Sequence, residues 1–447
     1  MKQKRLYAVS IALLCCTLRT LCAEESVYTG KSRIDWTVQR FYSDITFNTE
    51  RAGFRLPTDK TAAARQLLVK LPVLVKDPFL SLYMDADSNI DDVVRSGTVT
   101  LEQITALIEG GRRTAPVFDR DGVTLKTTNT ISLTEIPRLI ARQRHPASPR
   151  EPIDVIPSRA YSGIIIDARG ALPIHGEYIS STVSPCFFPR VWNTDMDVIY
   201  ERATVELAVT QKNGIVSYHW SDDRRLYEDR IGIDPLVITA EKVYGRNRTD
   251  PVIRTEDALR ILTVPENRQL LREGKVVILL DRDNLVYDVS VPLRGPSYYA
   301  LYDRVREYVY RDMTDVDIIN TVGGITFSIG NLRFYPDSSE LLPAERARIV
   351  QIAEQLRTII ADGEYTVLIE GHTADIGRPV GQQNLSVERT RTVMRELIAQ
   401  GIDETLFSYV GYGGTRPIAP NDTEAGRAQN RRVDITARPR ATYIQRQ

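Results

Sequence analysis

The stretch YTVLIEGHTADIG, residues 365–377, decides the reading of this chain. A run of apolar and β-branched residues reaches Glu370-Gly371 and breaks into a short polar loop, the pattern of a buried strand ending at a glycine. Upstream, residues 338–363 place Ile349, Ile352, Ala353, Leu356, Ile359 and Ile360 on one face of a helix. Before that helix, GGITFSIGNLRFYP (323–336) reads as a strand. Downstream, the spacing predicts a helix over Ser386–Gln400 with Ser386 as its N-cap and Arg389 in its first turn. Strands over FSYVGYG (407–413) and RRVDITAR (431–438) follow. The order is βαβαββ, a mixed sheet with helices, and the fold class is α+β or mixed α/β in several domains.

Four short blocks stand in order along this region: Gly371, His372, Thr373 and Gly377; Leu385, Ser386 and Arg389; Gly411 and Gly413; Asn430, Arg431, Arg432 and Val433. Residues 320–440 thereby resemble the C-terminal domain shared by OmpA, Pal and MotB-type proteins, which hold the cell envelope to peptidoglycan. The resemblance implies a ligand, the zwitterionic end of a diamino acid in the peptidoglycan stem peptide. In the family pattern an aspartate after G-H-T takes the ammonium. The arginine of L-S-x-x-R takes the carboxylate, and the first arginine of N-R-R assists. Carried over, Thr373, Leu385, Arg389 and Arg431 fit their positions. A guanidinium beside helix N-terminal amides suits a carboxylate. The anionic half departs from the pattern: Ala374 stands where the aspartate belongs and Gln382 replaces an asparagine. A bound ammonium without its counter-charge costs about 2–5 kcal/mol, roughly thirty- to several-thousand-fold in affinity. Peptidoglycan binding is therefore expected to be weak, altered or lost, unless Asp375, one position on, supplies the charge.

The first 23 residues read as a secretory signal: Lys2, Lys4 and Arg5, an apolar run over Leu6–Leu18, and a cleavage site after Ala23. That run is too short to span a bilayer, so the mature chain is expected in the periplasm, where it can associate with the outer membrane. Of four cysteines, Cys15, Cys16 and Cys22 fall in the signal, and Cys186 alone has no intrachain partner. The bulky Leu14 and Leu21 disfavour lipidation at Cys15 or Cys22. Without the signal, 54 basic residues face 58 acidic ones, which gives no electrostatic reason to expect nucleic acid.

Two breaks divide the rest. Prolines at 146, 149, 152 and 157 mark a linker over 146–158, and VPLRGPSYY (291–299) precedes a connecting helix placed at 296–319. Residues 24–145 read as a small α+β domain, with a helix at 61–82 carrying Ala64, Leu67, Leu68 and Leu71 and a hairpin across Asp121-Gly122. Residues 159–295 read as a mixed α/β domain, with strands at YSGIIIDARG, TVELAVTQ, GIVSYHW, PLVITAEKV and VVILLDRDNLVYDVSV and helical pattern over 255–274. Residues 26–292 faintly resemble LPP20/FlgT-like exported domains. Residues 441–447 form a tail.

No catalytic, metal or cofactor signature emerges. His145, His175, His219 and His372 lack ligand spacing with one another or with Cys186. DADSNIDD (85–92) opens like a calcium loop, but Ile90 and Ser96 occupy the required glycine and glutamate, leaving a solvated acidic loop. DRDG (119–122) and DRDN (281–284) read as hairpin turns. Asp167 and Arg169, after a buried strand, are the residues to test for an enzyme or small-ligand site in the central domain. The region before residue 320 lacks the evenly spaced strands of an outer-membrane barrel. The reading is a non-enzymatic envelope protein whose N-terminal modules contact other envelope proteins.

Overall fold

The computed structural model describes residues 27–142, 146–147, 152–176, 180–289, 296–321, 323–335, 338–361, 365–375 and 379–439. The signal with its cysteines, Gly377, part of the 146–158 linker and the 441–447 tail lie outside the described residues. Among the described residues no helix is long and apolar enough to cross a membrane.

The first module opens with two antiparallel strands, Tyr28–Asp35 and Arg40–Asn48, that the helix-then-strands reading omitted. Their alternation buries Ile34, Phe41, Ile45 and Phe47 against the helix Lys60–Leu80. That helix buries Ala63, Leu67, Leu71, Val75 and Phe79, a stripe at four-residue spacing; Ala64 and Leu68 flank it half-buried. The hairpin expected at Asp121-Gly122 forms, Val117–Phe118 pairing with Thr124–Ser132.

The centre of the second module is a four-stranded sheet in the order Ser217–His219, Val276–Leu279, Ile164–Asp167, Leu236–Thr239, parallel throughout. Its two middle strands are continuous apolar runs because both faces are covered. Two expectations fail here. TVELAVTQ is not a strand: Leu207–Asn213 is a helix closed by Gly214 at φ 64°. Its valines and leucine are as compatible with one helical face as with a short strand, and Gly214 supplies the stop. DRDN is not a hairpin turn but the start of a short helix, Arg282–Leu285.

After that helix the chain crosses back. Val286–Val289 pairs antiparallel with Tyr28–Asp35, Ser32 opposite Val289, and becomes the edge of the first module's sheet. Trp36 meets Phe187 and Tyr218 edge-on, so one apolar core runs through both modules.

The connecting helix ends earlier than expected, at Asp312. Asp315 turns the chain at φ 55°, and Val316–Thr321 then forms a strand that hairpins onto Gly324–Gly330. Its alternation, Val316 and Ile318 in, Asp317 and Ile319 out, is too short to stand out beside a helix. The C-terminal sheet runs Val316–Thr321, Gly324–Gly330, Arg432–Pro439, Tyr365–Gly371, Phe407–Gly411. One face packs Ile325, Phe327, Val367, Ile369 and Ile435 on the helices Pro343–Ile360 and Pro379–Ala399. The other carries Thr326, Ser328, Glu370, Asp434 and Thr436, and part of it is covered by the second module: Trp192, Tyr244 and Val252 pack on Leu368, Val410 and Tyr412.

Candidate functional site

The family motifs converge at the end of the strand Tyr365–Gly371. His372 donates its amide to the Arg432 carbonyl at 2.9 Å, and Thr373 to the Gly413 carbonyl at 2.8 Å. The helix that follows starts at Pro379, not at Ser386. Proline suits the first helical position, since its fixed φ matches the helix and its missing N–H is not needed there. Ser386 is therefore no N-cap. Its Oγ donates to the Gln383 carbonyl at 2.7 Å and accepts from the Gly413 amide at 2.9 Å, tying the helix to the loop. Gly411 allows that crossing, because a Cβ there would stand 2.4 Å from the Val387 nitrogen. Arg389 consequently sits deep in the helix, away from the exposed amides expected to share its carboxylate.

The arginines of the cationic half have partners within the chain. The Arg389 guanidinium lies over the Phe334 ring at 4.6 Å, and its Nε donates to the Ser338 carbonyl at 3.4 Å. Arg431 pairs with Glu424 at 2.8 Å. Ala374 is buried and its carbonyl accepts from Gln382 Nε2 at 2.7 Å, so the two departures from the family pattern are bonded to each other. Asp375 is exposed, and its amide donates to Asn421 Oδ1 at 3.2 Å. Thr373 is buried and Leu385 half-buried. The cavity between Phe334, His372, Ser386, Arg389 and Arg431 holds only about 10 Å³, scarcely one water, and neither Ala374 nor Asp375 lines it. His372 is buried, which lowers its pKa; it lies 3.3 Å from Asp434 and stacks on Tyr412.

Beside this pocket lies a charge cluster that the sequence reading missed. Glu370 is 3% exposed and faces Arg246 of the second module at 3.3 Å and Arg416 at 3.4 Å. Arg416 also pairs with Asp87 of the first module and covers the Tyr412 ring. Burial works to raise the Glu370 pKa, but the two arginines outweigh it and hold the carboxyl below its ordinary range. A lone carboxylate inside an apolar strand was the available signal, since buried charge requires a partner. The 85–92 loop is a joint and not a solvated loop. Asp85 Oδ1 accepts from the Asp87 and Ser88 amides, Asn89 and Asp92 cap a helix reciprocally, and Asn247 donates to the Asp85 and Ser88 carbonyls.

At the carboxyl edge of the central sheet, Arg169 bridges Asp167 at 2.6 Å and Asp222 at 2.8 Å. Hydrogen bonding to Arg169 holds the Asp167 carboxyl below its usual pKa, as in a structural ion pair.

Compared with known proteins, residues 333–431 match the OmpA family. The C-terminal region is an OmpA-family domain. Residues 27–139 match the N-terminal domain, and 163–282 the second domain, of Treponema pallidum Tp0624. The outer membrane protein A of Bordetella avium is 38% identical over 22% of this chain and 50% of that protein. The peptidoglycan-binding protein ArfA of Mycobacterium tuberculosis is 35% identical over 26% of this chain and 33% of its own length. The chain thus spans half or less of these two relatives. A MotB-like protein from Desulfovibrio vulgaris is a structural neighbour, 24% identical with a TM-score of 0.29, over 32% of this chain and 94% of that one.

Proposed function

We propose that this is a non-enzymatic cell-envelope protein of the periplasm whose OmpA-family domain keeps the fold of a peptidoglycan-binding module while its ligand pocket is closed. Ala374 carries the reading. It leaves the ammonium of a diamino acid without an anion, and its carbonyl is already bonded to Gln382. The small cavity and the pairing of Arg389 and Arg431 within the chain support it. Asp375 is disfavoured as a replacement because it is exposed and does not line the cavity. In this reading the OmpA-family domain serves the chain as a docking partner for its own N-terminal modules, which meet other envelope proteins on their remaining surface. Titrating the full chain with a diamino-acid stem peptide, followed by intrinsic fluorescence or calorimetry, tests it. No saturable binding is expected; saturable binding lost in Arg389→Ala would overturn it.

A further inference from the structure

Between the second module and the linker that leads into it lies a cavity of about 670 Å³, within the range of small-molecule sites. Its floor is apolar. Ile199, Ala258 and Leu262 are buried there and Leu259 half-buried, the last three from one face of the helix Thr255–Leu262. Its mouth is acidic. Asp154 of the linker and Asp195 and Asp197, which follow the strand Val191–Asn193, are exposed, and Glu201 is half-buried. Among the described residues no lysine, arginine or histidine lines the cavity. The carboxylates are only partly engaged. Asp195 Oδ2 accepts from the Thr255 hydroxyl at 2.7 Å, and Asp197 Oδ2 from Asn193 Nδ2 at 3.3 Å. Both donors are neutral and offset no charge, and the second oxygen of each carboxylate has no partner among the described residues. Glu201 meets a cation only at 3.8 Å, the guanidinium of Arg190, which stands equally far from Asp87. Thr204 is an independent sign. It lines the cavity at 5% exposure, and its hydroxyl has no hydrogen-bond partner among the described residues, although a buried hydroxyl ordinarily has one. A hydroxyl left open on a cavity wall is matched by a polar group of a ligand.

We propose that this cavity binds an alkylammonium, a charged amine on an aliphatic stem, as a linear diamine or a lysine side chain carries it. The stem covers the floor of Ile199, Leu259 and Leu262, and the ammonium donates to the open oxygens of Asp195 and Asp197. A cation placed there also relieves the repulsion between neighbouring carboxylates. The Thr204 hydroxyl accepts an N–H from the far end, the second ammonium of a diamine or the backbone amide of a lysine. A hydrated metal ion gains nothing from the apolar floor, which is what selects an organic cation. The cavity is separate from the pocket at Arg389, and its ligand does not depend on the state of that pocket.

The test is calorimetric titration of the full mature chain with 1,5-diaminopentane and with Nα-acetyl-lysine amide. Uncharged 1,5-pentanediol and magnesium chloride are run beside them at matched ionic strength. The expected result is saturable binding of an amine and none of the diol or of magnesium. Tighter binding of the diamine assigns a free amine, and tighter binding of the lysine derivative assigns a peptide chain. The double variant Asp195→Asn/Asp197→Asn keeps amide oxygens for the bonds from Thr255 and Asn193. It is expected to weaken binding at least about tenfold, the effect of losing one charge-assisted hydrogen bond. Thr204→Val, of matching shape, is expected to weaken it about threefold, and it reads the same site should the double variant fail to fold by circular dichroism. Binding of neither amine, equal binding of the diol or of magnesium, or an amine affinity unchanged in both variants overturns the proposal.

Discussion

Two clusters of charge flank the end of the strand Tyr365–Gly371, and they behave in opposite ways. In the junction cluster, Arg246, Arg416 and Asp87, all half-buried, come from different parts of the chain and meet in ion pairs around or beside the buried Glu370. In the proposed pocket, Arg389 rests on Phe334 and Arg431 on an exposed glutamate, and Ala374 stands where the family resemblance places an aspartate. The contrast is one of burial. A charge inside the molecule must find its partner within the fold, so each junction residue constrains the others. A pocket residue answers to a ligand, and it can change without unfolding anything.

This contrast can be broken by mutation, most sharply at Glu370. Glu370→Ala removes the buried carboxylate that the half-buried Arg246 and Arg416 share. It is expected to cost about 3–5 kcal/mol in urea unfolding of the full chain; a loss under about 1 kcal/mol would erase the distinction. Next comes Asp250, wholly buried in the second module beside the junction, which accepts from Trp192 Nε1 at 2.9 Å. Burial pushes its carboxyl up to about 7. The folded state therefore holds a proton that the unfolded chain releases near pH 4. This contribution to stability is greatest below pH 4, falls as pH rises toward 7, and is flat above. It amounts to roughly 4 kcal/mol as an order of magnitude. Asp250→Asn is expected to flatten that slope in urea unfolding curves taken between pH 4 and 8.

A smaller effect is expected at Gly245, where φ is 96° and a Cβ would stand 2.4 Å from that of Ala86. Gly245→Ala should destabilise by about 1–3 kcal/mol, read from the thermal midpoint, by backbone strain and by wedging the second module off the first. Least of all, Arg389→Ala should change stability by less than about 1 kcal/mol, the scale of its contact with Phe334.

Much of the C-terminal architecture was legible because its signals are local. The stripe from Ile349 to Ile359 and the glycine-terminated strand at Gly371 report their own secondary structure. The helix start was misread because Ser386 looks like a cap and Pro379 looks like a break, yet proline at a first helical position is compatible with both. The site residues could be named from the sequence as a motif, but their environment was not legible. That Arg389 would lie over Phe334, 55 positions earlier in the chain, is a tertiary fact. The junction was invisible for the same reason: Asp87 and Arg416 are 329 positions apart, and each alone reads as a surface charge. Val286–Val289 looked like a strand of the sheet nearest in sequence, while its hydrogen bonds go to Tyr28–Asp35.

The central claim is that the OmpA-family domain has kept its fold and closed its pocket. Co-sedimentation of the full mature chain with purified sacculi tests it most directly, with Arg389→Ala and the double variant Ala374→Asp/Gln382→Asn run alongside. The account predicts that wild type stays in the supernatant, indistinguishable from Arg389→Ala, whether or not the double variant regains binding. Wild-type protein that pellets saturably and is released by Arg389→Ala would contradict it.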